Sequence, residues 1–159
     1  MGRLTDLRDQ AYTRLRLNQI NNAFVLNDFD THLTYIPYAH LSAMAEDHPN
    51  GKVYVVSSGH GDTVTKTRTN LGVIQEIPVQ IGFQKTDVDY DDIASLDVLT
   101  ELVEELQDMC RKEVLLEGYS FNRIDVMKDE EDVPFSYVML REARTFEAYF
   151  TAIYQLVLS

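Results

Sequence analysis

The five residues from Asp28 to His32, Asp-Phe-Asp-Thr-His, bring two carboxylates and an imidazole into one short stretch, a donor set that a divalent cation accepts in principle. That spacing is also common in turns, where Asp side chains satisfy backbone N–H groups, and no second cluster completes a coordination shell. Further on, Ser57-Ser58-Gly59-His60-Gly61-Asp62 gathers hydroxyl, imidazole and carboxylate in a glycine-rich bend. Hydrolytic triads converge from separated segments, whereas neighbours in one bend diverge. A phosphate-binding loop needs a Lys-Ser/Thr pair opening a helix, and a threonine-rich extended stretch follows here instead. Cys110, the single cysteine, falls on an apolar helical stripe and reads as a buried thiol, not a nucleophile. Glu104 and Glu105 are adjacent and point about 100° apart on a helix, which does not make an acid–base pair. His40 and His48 have no partner pattern. The expectation is no catalytic residue, no metal, no cofactor and no enzyme activity.

The elements that would carry these groups follow from periodicity. Leu4, Leu7, Ala11, Leu15 and Ile20 recur at helical steps, predicting an amphipathic helix from Thr5 to about Phe24. A short β-favouring run covers His32 to Ile36, a brief helix follows Pro37 through Met44, and Lys52 to Ser57 reads as a β-branched strand. Thr63 to Thr69 alternates threonines with Val64, Lys66 and Arg68, so Gly59 to Gly72 is expected to be a projecting hairpin or mobile loop. Val73 to Lys85 alternates firmly, with Ile77, Val79, Ile81 and Phe83 on a covered face and Glu76, Gln80 and Gln84 opposite. Pro78 cannot donate to a ladder and places this stretch at an edge or a bulge. Leu96, Leu99, Val103, Leu106 and Cys110 mark the best helix, capped by Ser95 and ended by Gly118 after about Glu117. Asn122 to Lys128 is a strand, Pro134 to about Arg144 contains a short helix, and Thr145 to Leu158 is a long central strand. Its sole charged side chain is Glu147, and its second face carries Tyr149, Ile153 and Val157. The fold class is α+β: one domain over residues 1–159, a mainly antiparallel sheet with one long helix and an N-terminal helix packed on it, plus a projecting β-hairpin arm.

Composition bounds the partners. The 159 residues hold 14 Lys and Arg against 26 Asp and Glu, for a net charge of −12. Such a domain is repelled by nucleic-acid phosphates and is a poor candidate for gripping DNA or RNA. Asp87 to Asp108 contains nine acids and no Lys or Arg, which reads first as a solvated helix face with its entry loop. No apolar run approaches a membrane span, and the charged N-terminus does not resemble a signal peptide, so a cytosolic product is expected. Tyr35, Tyr38, Tyr90, Tyr119 and Tyr149 are not required by a core face, and amphipathic tyrosines are typical of protein interfaces. A sheet with one long helix leaves apolar strand surface to cover, which points to oligomerisation.

Several phrases carry a family resemblance over nearly the whole chain. The long strand with Ile77-Pro78-Val79-Gln80-Ile81-Gly82-Phe83-Gln84-Lys85 is followed by an acidic gap and then the helix Leu96 to Leu106. The chain closes with an acidic-proline loop, the helix around Leu140-Arg141-Glu142, and Thr145-Phe146-Glu147 opening an apolar strand. This pattern resembles the tail terminator (tail completion) proteins of tailed bacteriophages.

The resemblance implies a virion protein without catalytic residues or cofactors. It implies a homo-oligomeric, hexameric ring at the head-proximal end of the tail, which stops polymerisation of the tail tube protein and offers a surface to the neck or connector protein. DNA would pass through the lumen without specific binding, and Asp129, Glu130, Glu131 and Asp132 are the candidate acidic lining. His60, Lys66, Arg68 and Tyr149 are the candidate subunit or tube contacts. A head-to-tail connector protein is the nearest alternative, and a small cytosolic enzyme or ligand-binding domain a remote one.

Overall fold

The computed structural model describes residues 3–35, 50–56, 62–66, 73–112, 119–126 and 135–158. Within them lie α1 (Arg3–Ile20), β1 (Asp30–Thr34), β2 (Lys52–Val56), β3 (Asp62–Lys66), β4 (Val73–Lys85), α2 (Ile93–Lys112), β5 (Ser120–Val126), α3 (Tyr137–Ala143) and β6 (Phe146–Leu158). The strands form one sheet in the order β1-β2-β4-β6-β5, with β3 pairing β4. Every pairing is antiparallel except β1 with β2. This is the expected α+β architecture. The predicted helix after Pro37 and the stop at Gly118 lie outside the described residues.

The frame is the β4–β6 ladder. All thirteen residues of each strand pair, from Val73 with Leu158 to Lys85 with Phe146. On its other flank β4 pairs β3 through Val73–Glu76 and β2 through Gln80–Gln84. Pro78 falls between those two pairings, where the missing N–H breaks no described ladder on that side. The hairpin expected around Gly59 to Gly72 thus has a stem inside the sheet: β3 anneals to the part of β4 that β6 also holds.

Both long helices lie on one face of the sheet, α1 over β4 and β2 and α2 over β6 and β5. α1 buries Leu7, Ala11 and Leu15 at four-residue steps, one stripe of the helical period. It stops at Ile20, short of the expected Phe24, because Asn22 takes the left-handed conformation (φ 54) and Ala23 N–H returns to the Asn18 carbonyl at 2.9 Å. α2 buries Leu96, Leu99, Leu102, Val103, Leu106, Met109 and Cys110. Its cap is Asp92, not Ser95. The Asp92 carboxylate accepts from Ser95 N at 3.2 Å and Ser95 Oγ at 2.8 Å, and its carbonyl accepts from Leu96 N. The Asp92 carboxylate also suits the positive end of the helix dipole. Ser136 caps α3 by accepting from Met139 N.

Against the helices the sheet presents Val53 and Val55, Ile77, Val79, Ile81 and Phe83, and Phe146, Ala148, Phe150, Ala152 and Tyr154, all buried. Removing each such large side chain from water contributes on the order of 1.5–3 kcal/mol. Aromatic contacts tie the layers at one end. Phe29 meets Phe83 edge-on at 6.4 Å, Phe83 meets Phe146 at 6.0 Å, and Phe135 meets Phe146 at 5.2 Å. At the other end Tyr154 Oη donates to the Cys110 carbonyl at 3.0 Å, fastening the last turns of α2 to the sheet.

Candidate functional site

The second sheet face, turned away from α1 and α2, carries the one candidate contact residue whose side chain is described, Tyr149. Alternation on β6 puts Glu147, Tyr149, Thr151 and Ile153 on this face, and register sets each beside a defined residue of β4. The first row is Lys52 on β2, Gln84 on β4 and Glu147 on β6; the second is Tyr54, Gly82 and Tyr149. Val56, Gln80 and Thr151 make the third. On β1, Asp30 and His32 extend the first two rows through parallel pairing with Lys52 and Tyr54.

The first row is polar and buried. Lys52 is 9% exposed, Gln84 1% and Glu147 8%. Gln84 Nε2 donates to Glu147 Oε1 at 2.7 Å, while Gln84 Oε1 has no hydrogen-bond partner among the described residues. The Lys52 ammonium lies 5.2 Å from the Tyr54 ring centroid, within cation–π range. Burial pushes the Tyr54 phenol up from its ordinary pKa. Tyr149 is half-buried and packs against Tyr54 and Val56, a small apolar patch separate from the main core. Gly82, buried between them in the row, has no side chain to hold the two tyrosines apart.

Beyond this patch the face is wetter. Arg123 on β5 reaches across β6 to grip Glu76 on β4 with two hydrogen bonds of 2.9 and 3.3 Å, and Asn122 Nδ2 donates to the same carboxylate. The Glu76 hydrogen bond raises the Arg123 pKa above its ordinary value. With Gln80, Thr151 and Asp125 these groups make a surface of donors and acceptors suited to polar contact with another macromolecule.

The other sequence candidates fall elsewhere. His60, Arg68, Asp129, Glu130, Glu131 and Asp132 lie outside the described residues. Lys66 ends β3, its backbone paired with Val73. Asp28 is an exposed loop residue, Asp30 and His32 are exposed on β1, and among the described residues no three His, Cys, Asp or Glu side chains are grouped to hold a metal. Cys110 is buried at 2% exposure. Glu105 accepts from Val25 N at 2.9 Å, tying the α1–β1 loop to α2.

The tyrosines divide. Tyr119 is in the core, donating to Asp6 Oδ2 at 2.9 Å and to the Arg3 carbonyl at 3.3 Å. Burial first, and the Asp6 hydrogen bond second, push its pKa up to about 12. Tyr35 and Tyr90 are exposed, and Arg8 stacks 5.1 Å from the Tyr35 ring centroid. Tyr38 lies outside the described residues.

One expectation needs correction. Gln84, placed opposite the covered face of β4, is itself buried, its amide donating to Glu147 on the neighbouring strand. Apolar strand surface does remain exposed, at Leu33 on β1 and Val126 on β5, while Tyr54, Val56 and Ile153 on the second face are buried. The Lys52–Gln84–Glu147 row was not foreseen; the available signal was one acid in an otherwise uncharged final strand.

Compared with protein-family models and with curated protein sequences, the chain matches none.

Proposed function

We propose that this chain is a structural subunit of a phage tail: a tail terminator that forms a ring on the head-proximal end of the tail tube, halts tube growth and meets the neck. One observation carries the reading. The element order that the resemblance predicts, a long strand ending in Lys85, an acidic gap, a long helix, a strand, a short helix and an apolar final strand, is the order of β4, α2, β5, α3 and β6. The two thirteen-residue strands, remote in sequence, pair along their whole length. The polar second face with Tyr149 and the exposed Tyr35 and Tyr90 supply amphipathic surface of the kind that subunit contacts use.

In this reading His60, Lys66, Arg68 and Tyr149 contact the adjoining subunit or tube, and Asp129, Glu130, Glu131 and Asp132 line the lumen, where carboxylates let DNA slide without gripping its phosphates. The protein acts in the virion, needs no cofactor and performs no catalysis. Light scattering followed by negative-stain imaging, alone and after incubation with tail tube protein, tests it. A six-fold ring that caps tubes and prevents their elongation is expected. A dodecamer indifferent to the tube favours a connector, and a chain that stays monomeric beside growing tubes overturns the proposal.

A further inference from the structure

Asn50 and Gly51 form the dipeptide most prone to spontaneous deamidation, and the fold treats its two halves differently. Asn50 is an exposed turn residue. Gly51 is buried, with φ +90, and a Cβ built on it would meet the Phe83 ring at 2.7 Å. Its carbonyl accepts the Asp30 N–H at 3.1 Å, the bond immediately before the β1–β2 ladder begins at Asp30 and Lys52.

In deamidation the Gly51 backbone nitrogen attacks the Asn50 Cγ. An N–C bond forms, the Cγ–N bond of the side-chain amide breaks, and ammonia leaves with the proton lost from the Gly51 nitrogen. Water then opens the succinimide at either carbonyl, giving aspartate or isoaspartate. Attack requires the Gly51 nitrogen to give up its proton to solvent and to swing towards Cγ. Burial under Phe83, the fixed positive φ and the anchored carbonyl oppose both movements.

We propose that Asn50 is a modification site latched by the fold: shut while Gly51 is seated beneath Phe83, released when the β1–β2 end opens locally, and unable to close again once isoaspartate has formed. Irreversibility follows from geometry. Isoaspartate inserts a methylene into the main chain immediately before Gly51, and Gly51 is buried against the Phe83 ring, which leaves its backbone little room to absorb the added length. The Gly51 carbonyl is displaced from Asp30, and the edge strand β1 loses its first anchor. Aspartate at the same position keeps the normal backbone and the latch.

The native protein and the protein unfolded in guanidinium chloride are incubated side by side in mildly alkaline buffer, and the peptide containing Asn50 is followed by mass and by isoaspartate content. At least a roughly tenfold slower reaction in the native protein is expected, as for a site reached through local opening. The native sample's isoaspartyl fraction should show faster amide exchange in residues 30–34 than unmodified protein, whereas Asn50→Asp should exchange as wild type does. Asn50→Gln should abolish the mass change with unaltered exchange. Equal rates in native and unfolded protein, or an isoaspartyl chain with undiminished protection of β1, would overturn the proposal.

Discussion

Gln84 and Glu147, opposite one another on β4 and β6, are joined by a 2.7 Å hydrogen bond with both side chains buried on the sheet face that α1 and α2 do not cover. An amide donating to a carboxylate inside a protein forms a stronger bond than one at the surface, and loss of either partner strands the other. Gln84→Leu or Glu147→Leu alone is expected to cost roughly 1–3 kcal/mol. Gln84→Leu/Glu147→Leu should cost less than the sum, with a coupling of about 0.5–3 kcal/mol. Urea unfolding of the four proteins measures it, and strict additivity would show that the bond contributes nothing specific.

Gly51→Ala combines a disfavoured φ with a Cβ 2.7 Å from the Phe83 ring. A loss of about 2–4 kcal/mol is expected, from strain and overpacking together. Phe83→Leu, which by itself loses core packing, should cost less in the Gly51→Ala background than in the wild type, because there it also relieves the clash while the positive φ remains. Thermal unfolding of the wild type, the two single variants and the double variant separates the contributions.

Tyr154→Phe removes the hydroxyl that holds the Cys110 carbonyl and leaves the ring in place. About 1 kcal/mol is expected, the net value of one buried hydrogen bond. Hydrogen exchange should rise in the last turns of α2 and not around Asp92, since the bond lies at only one end of the helix. Uniform acceleration along α2 would instead indicate global destabilisation.

The Tyr119 phenol has a folded-state pKa pushed up to about 12 from the ordinary 10. Its neutral form is the one the fold favours, so the stabilisation is complete below pH 10 and is lost as pH rises towards 12. Wild-type stability should therefore fall through that alkaline window more steeply than that of Tyr119→Phe, whose group at this position does not ionise. Parallel slopes in denaturant titrations across the window would remove Tyr119 as the cause.

Much of the fold was legible because it rests on period and punctuation. Ile77, Val79, Ile81 and Phe83 alternate without a break, and β4 occupies the expected Val73–Lys85. The five-residue apolar stripe of α2 is buried throughout. Caps were less legible: Asp92 and Ser95 are both acceptable capping residues, and only the backbone path decides that the carboxylate accepts and the serine donates. The polar row was hidden for a different reason. A glutamine among alternating residues reads as solvent-facing, and its burial depends on Glu147, sixty-three positions away. Likewise Tyr119 gave no local sign that Asp6 and the Arg3 carbonyl would meet it.

The position of β6 in the sheet governs when the chain can fold. Of the described strands it is the last in sequence, yet it lies between β4 and β5, and Lys85 must wait for Phe146 across all of α2, β5 and α3. Contacts so distant in sequence close slowly, and until they do α2 lacks the β6 surface it packs on and one edge of β4 is unpaired. Nascent chains stalled before residue 146 should consequently be the ones that chaperones hold and proteases cut, and release of the final strand should end that vulnerability in one step.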